Sequence, residues 1–125
     1  INSVRLRIKQ VEEFTQKHNP DILCLQETKV VDEAFPVKDV NKMGYEHVLF
    51  RGEKSYNGVA ILSKVPLTGV EKQNIAGSND ARHISTILPG DIELHNFSET
   101  NEITRTDTAL PGNNSMKRFF ILITP

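Results

Sequence analysis

A carboxylate, a hydroxyl and an ammonium, Glu27-Thr28-Lys29, follow closely on the apolar run Ile22-Leu23-Cys24-Leu25, with Gln26 between. An apolar run this short, with Pro20 before it and polar residues after it, reads as a strand buried on both faces. Open α/β sheets place their chemistry at the carboxyl ends of such strands. Glu27 is therefore the first candidate for a metal ligand, since hard divalent cations take carboxylate oxygens. Asp21 cannot share that ion: it begins the strand that Glu27 ends, and at ~3.3 Å per residue the two lie ~20 Å apart. His18, His47, His83 and His95 are scattered, and none has a carboxylate at a recognisable catalytic spacing. His95, on an apolar strand, reads as packed or surface-facing. Cys24 is the only cysteine, so no intramolecular disulfide or cysteine-rich zinc site is available. Inside its apolar run it reads as a small buried hydrophobe.

The elements that must position Glu27 are legible around it. Val4, Ile8, Val11 and Phe14 recur at helical spacing with charged residues on the other faces, which predicts an amphipathic helix capped by Asn2 or Ser3. Asn19-Pro20 stops that helix, because the residue before proline is pushed out of the α region. Phe35-Pro36 marks a turn, and Val37 to Lys42 reads as a short helical turn. Tyr45–Phe50 and Gly58–Leu62 read as strands joined by the polar loop from Arg51 to Asn57. Arg82–Leu88 and Ile92–Phe97 form a further pair around the turn Pro89-Gly90-Asp91. Up to Phe97 every element agrees with one mixed α/β sheet. Ser98 to Ser115 is polar and without periodicity. Met116 to Pro125 has strand propensity but nothing evident to pair with, and such a segment is an aggregation hazard when exposed.

Composition sets wide bounds. The 125 residues make about one small domain; 38% are hydrophobic, 25% are charged and the net charge is −1, as in a soluble globular protein. A surface for nucleic acid would have to be a local patch. No apolar stretch approaches the ~20 residues of a membrane span, so no membrane partner is expected. No signal peptide is visible, and a cytoplasmic setting is the expectation. The sequons at Asn96 and Asn113 read as chance matches without a secretory signal. The chain begins with Ile1, so the start lies upstream or the start codon is unusual.

Several segments taken together resemble a known family. Asn2-Ser3-Val4-Arg5, Leu25-Gln26-Glu27-Thr28-Lys29, Asp32-Glu33-Ala34-Phe35-Pro36, Gly44-Tyr45, Tyr56-Asn57-Gly58-Val59-Ala60-Ile61-Leu62-Ser63 and Ala81-Arg82-His83-Ile84 are similar, in order, to the exonuclease III family of DNA-repair nucleases. That family lies within the endonuclease/exonuclease/phosphatase superfamily, and the resemblance covers residues 1–97. It implies the N-terminal half of a four-layer α/β sandwich of the DNase I-like type. It also implies a hydrolase that cuts DNA beside abasic sites or from 3′ ends using Mg²⁺, with Mn²⁺ as a substitute, acting as a monomer on double-stranded DNA. Carried over by position, Glu27 and Asn2 are the metal-side residues. Arg5, Lys29, Tyr56, Asn57 and Arg82 are the DNA-side residues.

The pattern also breaks. The family's first strand and the first asparagine of its opening motif would lie before Ile1. The family's active-site tyrosine falls at Ser98, followed by Glu99 and Thr100 rather than proline. The downstream aspartate, asparagine and aspartate–histidine pair find no match, so the catalytic residue is unassigned. Residues 98–125 are expected to be an unrelated tail, as a frameshift or fused reading frame would produce. On this inventory the chain is expected to be truncated and inactive alone. A non-catalytic remnant or DNA-binding module is the alternative, and a superfamily phosphatase acting on a small phosphate ester is a third reading.

Overall fold

The computed structural model describes residues 2–72 and 80–98, together with the backbone of Arg105–Thr108 and Phe119–Leu122. Helix α1 spans Ile8–His18, strand β1 Ile22–Gln26, a 3₁₀ turn Asp32–Ala34 and helix α2 Val37–Lys42. Strands β2 (His47–Arg51), β3 (Val59–Ser63), β4 (Thr68–Glu71), β5 (His83–Leu88) and β6 (Ile92–Phe97) follow, then β7 (Arg105–Thr108) and β8 (Phe119–Leu122).

Two sheets form where one was expected. The first has the strand order β2-β3-β1-β8-β7 and the second β4-β5-β6. Sequence periodicity tells which face of a strand is apolar but not which ladder it joins, and that is why the single-sheet expectation failed. Strand β1 is central, antiparallel to β3 with Gln26 opposite Val59. It is parallel to β8 with Ile22 opposite Phe119. Strand β8, within the C-terminal segment, therefore has a partner on each side, since β7 runs antiparallel to it. This corrects the expectation that it has nothing to pair with. Strand β7 likewise lies within the stretch read as polar and without periodicity; four residues are too few to show a period. The other residues of that stretch, 99–104 and 109–115, lie outside the described ones.

Three layers result. Leu23, Leu25, Ala60 and Leu62 point from the first sheet toward the helices, meeting Val4, Val11, Val40 and Tyr45. Ile22, Cys24, Val59 and Ile61 point the other way, against Ile84, Leu88 and Leu94 of the second sheet. Both faces of β1 and β3 are thus dry, and their residues are fully buried. That is the reading drawn from the apolar run at Ile22–Leu25. Burial pushes the Cys24 thiol up to about 12, in keeping with its role as a packed hydrophobe. Strand β4 gave no signal because all four of its residues are exposed.

Helix α1 starts a turn later than expected, with Arg7 rather than Asn2 or Ser3 before it and no side-chain cap. The reason is tertiary. Asn2 and Ser3 have φ of 54° and 81°, outside the conformation of a capping residue. The Ser3 and Val4 amides donate instead to the Glu27 and Thr28 carbonyls, at 2.8 and 3.0 Å. At the other end Asn19 takes a left-handed cap, its N–H donating to the Thr15 carbonyl at 2.8 Å. The buried Tyr45 hydroxyl donates to the Pro20 carbonyl at 2.6 Å, fixing the helix-to-strand corner to the start of β2. Burial first, then the Asp21 charge, raises the Tyr45 pKa well above its usual value. Among the described residues no helix is long and apolar enough to cross a membrane.

Replacing Tyr45 with Phe removes that donor and leaves a buried carbonyl without it, an expected loss of about 1–3 kcal/mol in unfolding free energy. Leu62→Ala empties part of the core on the helical side and is expected to cost about 2–5 kcal/mol. Denaturant titration checks both. A Tyr45→Phe variant as stable as the parent would remove the corner bond from the account.

Candidate functional site

The carboxyl ends of β1 and β6 and the starts of β3 and β5 lie at one end of the two sheets. A chain of backbone hydrogen bonds sews them together there. Glu27 and Thr28 present their carbonyls to the Ser3 and Val4 amides. On the opposite side, the Thr28 and Lys29 amides donate to the Gly58 and Asn57 carbonyls, at 3.3 and 2.8 Å. The Gly58 amide continues to the Ala81 carbonyl at 2.8 Å, and the Ser98 amide donates to the Arg82 carbonyl at 2.8 Å. Residues far apart in sequence are thereby held side by side: Asn2, Glu27, Lys29, Asn57, Arg82 and Ser98.

The local backbone is unusual. Glu27, Lys29, Ser55 and Asn57 all have positive φ, at 57°, 51°, 66° and 50°. Such residues are uncommon outside glycine and cluster where the surrounding structure over-determines them. Gly58, at φ 98°, is required twice over: its backbone is left-handed, and a Cβ there would lie 2.1 Å from Thr28 Oγ1. Gly52 is similarly tight, since a Cβ would meet the Val30 carbonyl oxygen at 1.9 Å.

Side chains complete the site. The half-buried Glu27 accepts a hydrogen bond on Oε1 from the Ser98 hydroxyl at 3.1 Å. Lys29 Nζ donates to Asn2 Oδ1 at 2.6 Å. Asn57 Nδ2 donates to Glu53 Oε1 at 2.7 Å. Arg82 Nε lies 3.3 Å from Asp80 Oδ2, an ion pair with both side chains 42% exposed. Tyr56 is 71% exposed at the tip of the loop before β3, and Arg5 is exposed in the turn before α1. Beneath the site, the buried Asn96 donates through Nδ2 to the Leu25 and Ala60 carbonyls at 3.0 and 2.8 Å. Its Oδ1 accepts from Gln26 Nε2 at 2.6 Å, so one amide bolts the second sheet to the first below Glu27.

The oxygen donors suit a hard cation that keeps most of its water, as Mg²⁺ does with one or two carboxylates. They do not make a dedicated cage: among the described residues no group of three or more His, Cys, Asp and Glu side chains converges for a metal. Glu27 would supply the carboxylate. Asn2 Oδ1 is committed to Lys29, which places it beside an ammonium rather than simply at an ion.

Sequence reasoning missed Glu53, Asp80 and Asn96 as members of this end of the molecule. Asn96 carried a readable signal, an amide on the inward-facing side of an alternating strand, which demands partners. Two histidines meet near this end of the second sheet. His95 Nε2 lies 2.7 Å from Glu93 Oε1, so one histidine does pair with a carboxylate, two residues away on the same strand. His95 Nδ1 lies 2.9 Å from Nε2 of the buried His83. Burial foremost, then His95 and Arg51, holds the His83 pKa below its ordinary value of 6.5, with Glu71 opposing.

The two-sheet α/β sandwich thus carries a carboxylate at the end of its central strand, with Lys29, Asn57 and Arg82 held at the same end. The chain belongs to the endonuclease/exonuclease/phosphatase family, whose profile matches residues 1–120. Exodeoxyribonuclease III of Haemophilus influenzae is 38% identical over 93 residues, which are 74% of this chain and 34% of that protein. A Neisseria 3′ phosphatase, NExo, bound to a product DNA hairpin superposes with a TM-score of 0.73 at 33% identity, covering 81% of this chain and 39% of that one. An AP endonuclease from Archaeoglobus fulgidus gives a TM-score of 0.71 at 34% identity, covering 82% and 40%. The relationship to exonuclease III and AP endonucleases and the DNase I-like fold are thus established, and the chain spans about a third of the length of that curated relative. The family match runs past Phe97 into the segment that carries β7 and part of β8.

Gly58→Ala is expected to lose about 2–4 kcal/mol, from the left-handed backbone and the overlap with Thr28; thermal or denaturant unfolding measures it. Acid should also destabilise the fold through His83. The unfolded chain takes up that proton near pH 6.5, the folded chain only below it. The contribution is therefore complete above pH 6.5 and is lost as pH falls through the window beneath it. His83→Gln is expected to flatten that part of the profile, and an unchanged acid limb would exclude His83 as its source.

Proposed function

We propose that this chain is the N-terminal portion of an exonuclease III-type DNA-repair nuclease. In this reading it carries the metal glutamate and a rim that receives the phosphate backbone of double-stranded DNA. One observation carries the reading: the backbone ladder that sets Glu27 beside Lys29, Asn57 and Arg82. Lys29 and Arg82 supply sequence-independent attraction for phosphate, which positions DNA without reading its bases. Asn57 and Tyr56 present hydrogen-bonding groups from the loop before β3, and Arg5 extends the cationic rim. Bound at Glu27, with Asn2 close by, Mg²⁺ would stabilise charge on the phosphoryl oxygens and leaving group of the scissile ester.

Glu27 also needs orientation, and Ser98 gives it by donating its hydroxyl to Oε1. The described residues offer no evident base for activating water: His83 and His95 are bonded to one another, and His95 to Glu93. The chain of 125 residues by itself is therefore proposed to bind DNA without cleaving it, as a monomer in a cytoplasmic setting. The Neisseria relative's description as a 3′ phosphatase keeps 3′-terminal phosphate, beside abasic sites, among the substrates to test.

The test uses the full chain with Mg²⁺ and two labelled duplexes, one holding an abasic-site analogue and one a 3′-phosphate. Binding that weakens steeply with salt, without strand cleavage or phosphate release, is the expected result. Absence of binding at low salt would sink the DNA reading. Metal-dependent cleavage that vanishes in Glu27→Ala would overturn the binding-only assignment and make this stretch a sufficient enzyme.

A further inference from the structure

Glu53 sits in the loop between β2 and β3, half-buried, next to the exposed Lys54, Ser55 and Tyr56. Its two carboxylate oxygens serve different segments. Oε1 accepts from Asn57 Nδ2 at 2.7 Å, within the same loop. Oε2 accepts from the Ala81 amide at 3.1 Å, in the segment that leads into β5 and carries Arg82. The Gly58 amide to Ala81 carbonyl bond at 2.8 Å joins the same two segments a second time. Both of these Glu53 partners are neutral N–H groups.

On charge alone this is the wrong residue for the place. A carboxylate beside Lys54 and close in the fold to Arg82 opposes the approach of a polyanion. Its loop also holds Ser55 and Asn57 in the left-handed region, a conformation that persists only when neighbours enforce it. The carboxylate is the side-chain group that supplies such enforcement, because it accepts from the Asn57 side chain and from the adjacent segment at once.

We propose that Glu53 is a positioning residue: its carboxylate clamps the 52–58 loop to the 80–82 segment, so that Tyr56, Asn57 and Arg82 meet a DNA backbone as one preset surface. This rests on the rim being phosphate-facing. The two ideas separate experimentally because the clamp and simple electrostatics predict effects of opposite sign. Removing a negative charge from a phosphate-facing rim tightens binding, whereas removing a clamp weakens it.

The experiment compares the unsubstituted 125-residue chain, Glu53→Ala and Glu53→Gln by affinity for a duplex carrying an abasic-site analogue. The same three proteins, without DNA, are timed for tryptic cleavage after Lys54. The clamp predicts binding weaker by about fivefold in Glu53→Ala, the order of the net contribution of one ordinary hydrogen bond. A smaller loss is expected in Glu53→Gln, whose amide keeps one acceptor, with faster cleavage at Lys54 in both. Glu53→Gln preserves size and carries the comparison if Glu53→Ala does not fold. Equal or tighter binding in a folded variant overturns the positioning role, and unchanged cleavage at Lys54 overturns the clamp itself. A wild type that does not bind at low salt overturns the phosphate-facing reading and the positioning role with it, while the cleavage rates still decide whether the two segments are clamped.

Discussion

At the end of β1 the backbone turns left-handed at Glu27, passes the buried Thr28, and turns left-handed again at Lys29. The consequence is directional. Carbonyls of Glu27 and Thr28 go to the segment before α1, and amides of Thr28 and Lys29 go to the start of β3. A regular strand running on from Gln26 would instead keep pairing in register with its neighbours. Because it does not, the chain's N-terminal segment docks against the strand end, α1 begins late, and Gly58 must come within reach of Thr28. The side chains of Glu27 and Lys29 project from this forced segment. What looks like a collection of loop residues is a single constraint expressed at several positions.

Below that segment the two sheets are joined by polar as well as apolar contacts. Asn96 belongs to the second sheet but satisfies carbonyls of β1 and β3 and accepts a hydrogen bond from the Gln26 amide. A buried amide of this kind is costly unless every group is met, and when met it fixes register. The apolar contacts of Ile61 with Ile84 and Leu94 would tolerate sliding; the Asn96 bonds do not. The floor under Glu27 is therefore the place where the relative setting of the sheets is decided.

Much of this was legible in the residues. The double-sided burial of β1 followed from Ile22–Leu25, the limits of α2 from Val37–Lys42, and the β5–β6 hairpin from Pro89-Gly90-Asp91. Glu27 stands out as a candidate from its position at a strand end, and its companions from family resemblance. What stayed hidden was tertiary in origin. Nothing local reveals that Ser3 and Val4 prefer carbonyls of residues 27 and 28 to a helix cap, or that β5 and β6 form their own sheet with the exposed β4. Glu53 was invisible because an acidic residue in a polar loop looks solvated until its two acceptors are seen.

Cys24 gives the sandwich a chemical gauge of its own. Its thiol lies between the sheets, fully buried among Ile22, Ile61 and Ile84 and held protonated by that burial. A sulfur in this state reacts with nothing while the layers are closed, because the thiolate is the nucleophile and no reagent reaches it. Every alkylation event therefore counts a separation of the two sheets. As the chain's only cysteine, Cys24 turns the breathing of its dry interior into a rate that a single thiol reagent can read.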